Sequence, residues 1–440
     1  MRRFSSPLLL LLLVCGNAAH AKTSVEVLAH KAVSENATES ATAISELRAL
    51  GPEGFNALWR AHVDEIDRQI ANPILASSPE WRRLTTALDT VSQQKDSYIS
   101  GLYWFTDLDH ARAAARAANK PILSLRLLGK LNEEFSCANS RFFRTILYSN
   151  AAVSKALRER FILHWESVRP APRVTIDFGD GRKLERTLTG NSIHYVLDTD
   201  GRPIDALPGL YGPAAFMRSL AKMEEIFKAL TNLNRRSIAS LPAYLQSQLE
   251  AINLRWFLDI QKTGGKTPEG FKILLDENGT PTAIQAAQLA MTKALTEAPM
   301  LRSISVTREA LGSVTDQATW NQIAALHSSD ALLDDRSISL IKRQTHKALL
   351  AEGSKSDSDV ALRKLIEKLQ MSIVLDTVRN EYLMHTKIYE WLLADRSRRD
   401  VSALNKRVYD ELFLTPASDP WLGLFSAETY MALENGGLRQ

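Results

Sequence analysis

The spacing of hydrophobic and polar residues changes twice along this chain. Over residues 23–97 apolar positions recur at helical spacing, and Gly51-Pro52 interrupts that pattern once, which predicts two short helices joined by a turn. Over residues 101–230 stretches of period two alternate with helical stretches. From residue 239 onward the pattern is helical again, as in "AIQAAQLAMTKALTEA". We therefore expect one α/β unit between two helical parts.

The middle part predicts an alternation of helices and strands. A helix at "DLDHARAAARAAN" is followed by a strand at "PILSLRLL", a helix after Cys137, strands at "RFILHWESV" and "SIHYVLD", and a closing helix from Pro213. "VTIDFGDGRKLERTL" alternates on both sides of Asp180-Gly181, a dipeptide that suits a tight hairpin turn. Because "ILSLRLL" is apolar at nearly every position, its strand should be central and buried, with Arg126 fitting least well.

The first residues have the layout of a secretory signal peptide. Arg2-Arg3 precedes a short apolar run, and Ala19-His20-Ala21 supplies the small residues of a cleavage site. The apolar run is roughly half as long as a membrane-spanning helix requires. We therefore expect a signal peptide over residues 1–21 and an exported, periplasmic protein that begins at Lys22 and has no transmembrane span. Acylation of Cys15 is the alternative, which Val14 disfavours because a small residue normally stands there.

Composition narrows the function further. The chain has 54 basic and 50 acidic residues and two cysteines, and removal of the signal peptide takes away two arginines and Cys15. The near-neutral balance gives no electrostatic footprint for nucleic acid. One remaining cysteine, Cys137, excludes an internal disulfide.

The string "LYWFTDLDHARAAARAANKPILSL" resembles the entry to thioredoxin-like domains, with a tryptophan, a helix, Lys120-Pro121 and a buried strand. Cys137 falls where that fold places its cysteine motif, and "YVLDTDGRPID" resembles its penultimate strand and Asp-x-x-Gly turn. The resemblance implies a mixed central sheet flanked by helices. It divides the chain into an N-terminal helical segment (22–100), an α/β thioredoxin-like domain (101–230) and a C-terminal helical domain (231–440).

Two departures from the family bear on activity. Active members carry Cys-x-x-Cys, whereas this chain has a serine, Ser140, in the second position, and serine cannot resolve a mixed disulfide. The position of the family's cis-proline, which faces the cysteines, holds Ser192; we expect a trans bond there because a non-proline cis bond costs about 3 kcal/mol. Cys-x-x-Ser proteins of this fold hold client thiols as mixed disulfides, and at its most active the resemblance implies this for Cys137.

Two main hypotheses stay open. In the first, Cys137 forms mixed disulfides with a client thiol. In the second, which the missing thiol and proline favour, the domain is a binding or structural module for a protein partner that kept the fold and lost the chemistry. An unrelated enzymatic site between the α/β and helical parts is a third alternative. The sequence predicts no cofactor and leaves the oligomeric state open.

The reactivity of Cys137 depends on its surroundings. If it begins a helix, backbone N–H groups and Arg141 favour the thiolate, whereas Glu133-Glu134 oppose it by repulsion. The structural alternative is that Cys137 packs as a small hydrophobe between Phe135 and Phe142. The sequence does not decide between these.

Other candidates are weaker. His194 shares a strand face with Ser192, so it is a candidate base for Cys137, although a lone strand histidine is more often simply hydrogen-bonded. One predicted helix presents a polar face that we interpret as solvated or internally hydrogen-bonded rather than metal-binding, because no second cluster supplies ligands. Its members are Asp376, Asn380, Glu381 and His385.

Two stretches near the carboxyl end carry further predictions. "EGSKSDSD", residues 352–359, predicts an exposed loop. "VYDELFLTPASDPWLGLFSAETYMAL" is dense in aromatic residues, and we expect a tail wrapped on the preceding helices with Trp421 and Phe425 in a groove. The alternative is an exposed edge that binds a partner.

Overall fold

A computed structural model describes residues 24–74, 77–187, 190–232, 240–266, 308–351, 355–394, 400–421 and 432. The predicted signal peptide (1–21), the helical stretch "AIQAAQLAMTKALTEA" and Phe425 lie outside these residues. None of the described helices combines the length and apolar character needed to cross a bilayer.

The N-terminal part is helical, as predicted, but it forms six helices over the described residues between 24 and 100 where two were predicted. Between Ala37 and Ala71 alone, the chain turns at Gly51, which has a φ of 68°, and again at His62. The extra break at His62 lacks the Gly-Pro signal that marked the first. The helices are α1 (24–31), α2 (Ala37–Ala49), α3 (Pro52–Ala61), α4 (Val63–Ala71), α5 (Pro79–Ser92) and α6 (Ser97–Ser100).

A four-stranded sheet and a separate hairpin form the middle of the chain. The strands are β1 (Ile122–Leu128), β2 (Ile162–Arg169), β3 (Arg173–Asp177), β4 (Lys183–Thr187), β5 (Ser192–Leu197) and β6 (Pro203–Pro208). The sheet has the order β2-β1-β5-β6, in which β1 runs parallel to β2 and antiparallel to β5, and β5 runs antiparallel to β6. Strand β1 is interior and buried at every residue, which confirms its predicted place.

Two local predictions in this part are also confirmed. The hairpin of β3 and β4 turns around Asp180-Gly181, with Gly179 and Gly181 at positive φ. Arg126 is the charged residue within β1; it is only 4% exposed, and its guanidinium pairs with Glu166 on β2.

Helices flank the sheet: one precedes β1, others lie between β1 and β2, and one follows β6. The predicted closing helix begins at Pro213 as expected. Asp107 and Asn150 accept hydrogen bonds from the first turns of the helices that follow them, which places the starts of α7 and α9. The helices are α7 (Leu108–Ala118), α8 (Ala138–Phe142) with a π-helical turn (Phe143–Leu147), α9 (Ala151–Arg160) and α10 (Pro213–Asn232).

The carboxyl part is helical in all its longer elements. Its helices are α11 (Ser240–Lys262), α12 (Arg308–Val314), α13 (Gln317–Leu326), α14 (Asp335–Ala351), α15 (Lys355–Arg379), α16 (Thr386–Ala394) and α17 (Val401–Arg407). A π-helical turn (Asn380–His385) joins α15 to α16, and another (Val408–Leu412) follows α17. The predicted loop over residues 352–359 is wrong from Lys355 onward, because serine and aspartate are common both in loops and at helix starts.

The hydrophobic core is continuous between the sheet and the carboxyl helices. Buried side chains from Trp104 beside the sheet to Trp256 and Tyr382 in the carboxyl helices belong to one cluster. The N-terminal helices form a second cluster, to which Leu340 of α14 contributes. The fold is thus mixed α/β, with a four-stranded sheet flanked by helices and a helical carboxyl part.

Candidate thiol site

Cys137 lies at the end of the loop that follows β1 and is the N-cap residue of α8. Its amide donates to the carbonyl of Leu128 at 3.0 Å, which ties the loop back to the strand. The side chain is fully buried. Its Sγ atom lies 2.9 Å from Ser192 Oγ and 3.4 Å from Ser140 Oγ, so the structure brings together the residues that sequence reasoning placed near one another.

We refer to Cys137, Ser140, Asn191 and Ser192 as the thiol site. Cys137 Sγ also lies 3.8 Å from the carbonyl oxygen of Asn191. The bond before Ser192 is trans, since the described part of the chain contains no cis peptide bond, and the expectation for this position is confirmed.

Two oxygen atoms near Cys137 can accept a hydrogen bond from its S–H group. Ser140 donates its hydroxyl proton to the carbonyl of Cys137 at 2.8 Å, which leaves the Ser140 oxygen as an acceptor for the S–H group. The Asn191 carbonyl is an acceptor as well. Ser192 is the member of the thiol site whose hydroxyl could donate to sulfur.

The charged residues near Cys137 in sequence are engaged elsewhere. Arg141 donates to Thr187 Oγ1 at 2.9 Å, and Glu134 pairs with Lys95 at 3.1 Å. Glu133 likewise forms an ion pair, with Lys130. The sequence predicted that Arg141 stabilises the Cys137 thiolate while Glu133 and Glu134 destabilise it. In the structure each of these three side chains is paired with another residue and not with the sulfur atom.

The aromatic neighbours predicted for Cys137 also point elsewhere. Phe142 is 37% exposed, and the guanidinium of Arg173 lies over the ring of Phe135 at 4.7 Å. Cys137 is buried in the main hydrophobic core, as the structural hypothesis expects, and its sulfur also lies within hydrogen-bond distance of two hydroxyl groups and a carbonyl.

His194 bonds to a tyrosine and not to Cys137. Its Nε2 atom lies 2.7 Å from Tyr148 Oη, and its ring packs 4.5 Å from Phe143 and 5.2 Å from Phe216. Burial lowers the pKa of His194 to about 3. Among the hydrogen bonds of the described residues, none places His194 as a base for the thiol.

Acidification from pH 7 to pH 5 is expected to destabilise the fold through two buried histidines. An unfolded histidine has a pKa near 6.5, whereas burial lowers the pKa of both His194 and His164 to about 3. The unfolded state then binds more protons between these values, so each histidine lowers the free energy of unfolding by about 1.4 kcal/mol per pH unit below 6.5. Asp89 opposes this, because burial raises its pKa to about 7.

Chemical unfolding of wild type and a His194→Gln variant at both pH values tests this prediction. The loss between pH 7 and pH 5 should be smaller by about 2 kcal/mol in the variant. His110→Gln, at an exposed side chain, should behave as wild type. An equal loss in wild type and His194→Gln would contradict the assignment of the effect to His194.

A segment distant in sequence covers the thiol site. We call residues 400–421 the covering segment. Tyr409 donates its hydroxyl to the carbonyl of Asn191 at 3.1 Å, the same acceptor that lies near Cys137 Sγ. Asn191 Nδ2 in turn donates to Thr415 Oγ1 at 3.0 Å. Arg169 of β2 donates to the carbonyls of Thr415, Pro416 and Asp419 at 3.0, 3.4 and 3.2 Å.

The predicted tail packing is therefore only partly right. The segment is packed, but it contacts the sheet and the thiol site as well as helices. Trp421 is 47% exposed and does not fill a groove.

A polar cavity of about 390 Å³ lies between the covering segment and the carboxyl ends of β1 and β2. Arg126 and Arg169 line it, and the Nε atom of each is buried without an acceptor among the described residues. Sequence reasoning missed this cavity. It also missed the contacts of Arg169, because no local sequence pattern indicates that an arginine at a strand end bonds to a segment about 250 residues later.

The polar face on α15 and its π-helical turn is internally hydrogen-bonded, as interpreted from sequence. Asn380 Nδ2 donates to the carbonyl of Leu210 at 2.7 Å, and Glu381 pairs with Arg255 at 2.7 Å. His385 Nε2 lies 2.8 Å from Oδ1 of Asp205. Among the described residues, no group of three or more histidine, cysteine or acidic side chains is arranged to hold a metal ion.

Asp205 on β6 is the centre of a buried network that sequence reasoning missed. Besides His385, its carboxylate accepts hydrogen bonds from the hydroxyls of Tyr244 and Tyr389 at 3.0 and 2.9 Å and from the amide of Ala206 at 2.7 Å. The one sequence signal was an acidic residue within the otherwise apolar strand "PIDALP".

Comparisons with protein-family models, curated proteins and solved structures return no match for this chain. The geometry of the thiol site and of its covering segment is therefore the basis for the function proposed below.

Proposed function

We propose that this protein is an exported, periplasmic member of the thioredoxin-like class whose α/β part acts as a binding and structural module without disulfide exchange. The order of elements supports the class: a helix, a central strand, Cys137 at a helix start, a helix and a parallel strand, then an antiparallel pair of strands and a closing helix. The proximity of Ser192 to the sulfur atom supports it too, because the resemblance implies that this position faces the cysteine.

The observation that carries the proposal is the enclosure of Cys137. A thiol that attacks another protein's sulfur must reach it, and reactive cysteines are partly exposed. Cys137 is fully buried and lies beneath Tyr409 and Asn191, and its S–H group has acceptors in Ser140 and Asn191. Ser140 also lacks the thiol that would release a mixed disulfide.

A partner protein would then bind the module by its surface. Such binding would need no reaction at Cys137.

The alternative function is capture of client thiols as mixed disulfides, which one contact favours: the hydroxyl of Ser192, 2.9 Å from Sγ, could donate to a thiolate. This alternative requires movement of the covering segment.

Alkylation of the folded full chain tests the proposal. We expect Cys137 to react at least about a hundredfold more slowly than an exposed thiol, because the reagent must wait for an opening of the structure. An Arg182→Cys variant in a Cys137→Ser background provides the exposed reference, since Arg182 lies in the hairpin turn with a largely exposed side chain. Mass spectrometry follows both reactions.

The Cys137→Ser substitution should cost only about 1 kcal/mol, because a serine hydroxyl finds the same partners in Ser192, Ser140 and Asn191. Urea unfolding measures this cost. Reaction of Cys137 as fast as the Arg182→Cys reference, together with client adducts on non-reducing gels that disappear in Cys137→Ser, would contradict the proposal and establish the alternative.

A further inference from the structure

The contacts between the covering segment and the thiol site are mainly polar. The hydroxyls of Tyr409 and Thr415 and four backbone carbonyls of the segment bond to Asn191 and Arg169. Asn405 Oδ1 accepts a hydrogen bond from Tyr195 at 3.3 Å. Water replaces such bonds at small net cost, unlike buried apolar contacts. The polar cavity of about 390 Å³ along this interface gives water a place to enter.

With the covering segment packed on the sheet, two buried polar groups have no hydrogen-bond partner among the described residues. Nε of Arg126, a side chain only 4% exposed, and Nε of Arg169 have no acceptor among the described residues. Buried donors without partners are costly. Water would reach these atoms if the segment moved away. Their hydration would then offset part of the free-energy cost of opening.

The backbone of the segment is strained at one residue. Leu414 has a φ of +52°, a conformation that residues with a Cβ atom rarely adopt, although its side chain is 75% exposed and gains no burial from it. Its two neighbours are held by the thiol site: Phe413 and Thr415 both accept hydrogen bonds from Asn191. The amide of Thr415 also donates to the carbonyl of Tyr409 at 2.8 Å, so Leu414 closes the carboxyl end of the preceding π-helical turn. This cap and the bonds to Asn191 together hold the strained conformation.

The apolar anchors of the covering segment lie at Phe413 and before it. Val401, Val408 and Tyr409 are buried in the main core, and Leu412 and Phe413 pack against it, whereas Leu414 and Trp421 are well exposed. The bonds that join Thr415, Pro416 and Asp419 to Arg169 and Asn191 are polar. Release of residues 409–421 would detach Tyr409, Leu412 and Phe413 from the core and leave α17, with Val401, in place.

We propose that residues 409–421 are a displaceable cover whose local release, without unfolding of the remaining fold, exposes Cys137 and the Asn191-Ser192 edge. The occupant that fits the exposed edge is an extended peptide, whose carbonyls would accept from Arg169 and Asn191 as those of the segment do. This inference rests on the proposed function, because it names the surface of the module and what closes it.

The dependence of the alkylation rate on urea tests this proposal in the full chain. If the cover opens locally, the rate at Cys137 should stay nearly constant in urea below the unfolding transition, because local opening exposes little surface. Tyr409→Phe and Arg169→Gln, which remove contacts to the cover, should each raise the rate about tenfold. Ile323→Val, in the core at α13, is the control that lowers global stability and leaves the cover intact.

The outcomes separate this inference from the proposed function. A rate that rises with urea in parallel with global unfolding, and that Ile323→Val raises as much as Tyr409→Phe does, overturns the displaceable cover and leaves the proposed function standing. Fast alkylation of the wild type at the rate of the exposed reference contradicts the proposed function itself. If Arg169→Gln fails to fold, Thr415→Val, which removes the acceptor of Asn191 Nδ2, takes its place.

Discussion

Replacement of Asp205 by alanine is expected to lower the free energy of unfolding by about 3–5 kcal/mol, because it leaves four buried donors without their acceptor. Those donors are His385 Nε2, the hydroxyls of Tyr244 and Tyr389, and the amide of Ala206. The network joins β6 of the sheet to α11 and to the helices after α15, so its loss weakens the contact between the sheet and the carboxyl helices. Urea unfolding followed by circular dichroism measures the change.

The matched control for Asp205 is another aspartate beside the same sheet. Asp200 forms an ion pair with Arg116 at an exposed site, and Asp200→Ala should change stability little. Asp205→Asn, which keeps one acceptor oxygen, should fall between the two. A loss below about 1 kcal/mol in Asp205→Ala would show that the donors find other partners and would contradict the expected role.

Replacement of Trp104 by alanine should also cost about 3–5 kcal/mol, because it removes a fully buried indole. The indole N–H donates to Gln94 Oε1 at 2.8 Å, and the ring lies 5.1 Å from that of Tyr148, which bonds to His194. Trp104 thus links the end of the N-terminal helices to the aromatic cluster around His194.

A second substitution separates packing from hydrogen bonding at this position. Trp104→Phe retains most of the apolar volume but leaves Oε1 of Gln94 without the indole donor, so its cost should be about 1–3 kcal/mol. Met371→Ala, at a side chain that is 73% exposed, is the control and should have little effect. If Trp104→Ala and Met371→Ala lowered the free energy of unfolding equally in thermal or urea unfolding, the expected contribution of Trp104 to the core would be refuted.

The predictions that were confirmed depend on local chemistry. The central strand follows from its continuous apolar run, the hairpin turn from Asp180-Gly181, and the start of α10 from Pro213. The errors are local too. The break at His62 carries no glycine or proline, and Ser and Asp at residues 354–359 fit a helix start as well as a loop.

The thiol site was only half predictable. The family resemblance implied that Ser192 faces Cys137, and the structure places the two side chains 2.9 Å apart. The family resemblance gave no indication of the residues that cover the site. The bond between Tyr409 and Asn191 spans 218 positions of sequence, and those between Arg169 and the covering segment span nearly 250.

The sequence by itself determined the alternation of helices and strands, the interior place of β1, and the serine at the second position of the Cys-x-x-Ser motif, because periodicity and residue chemistry act over a few positions. Only the tertiary structure decided that Cys137 is enclosed, that His194 bonds to Tyr148, and that Asp205 gathers four donors. All three features depend on contacts between segments that are far apart in sequence. Such tertiary contacts follow from the packing of the whole core, in which distant polar partners are paired as water is excluded.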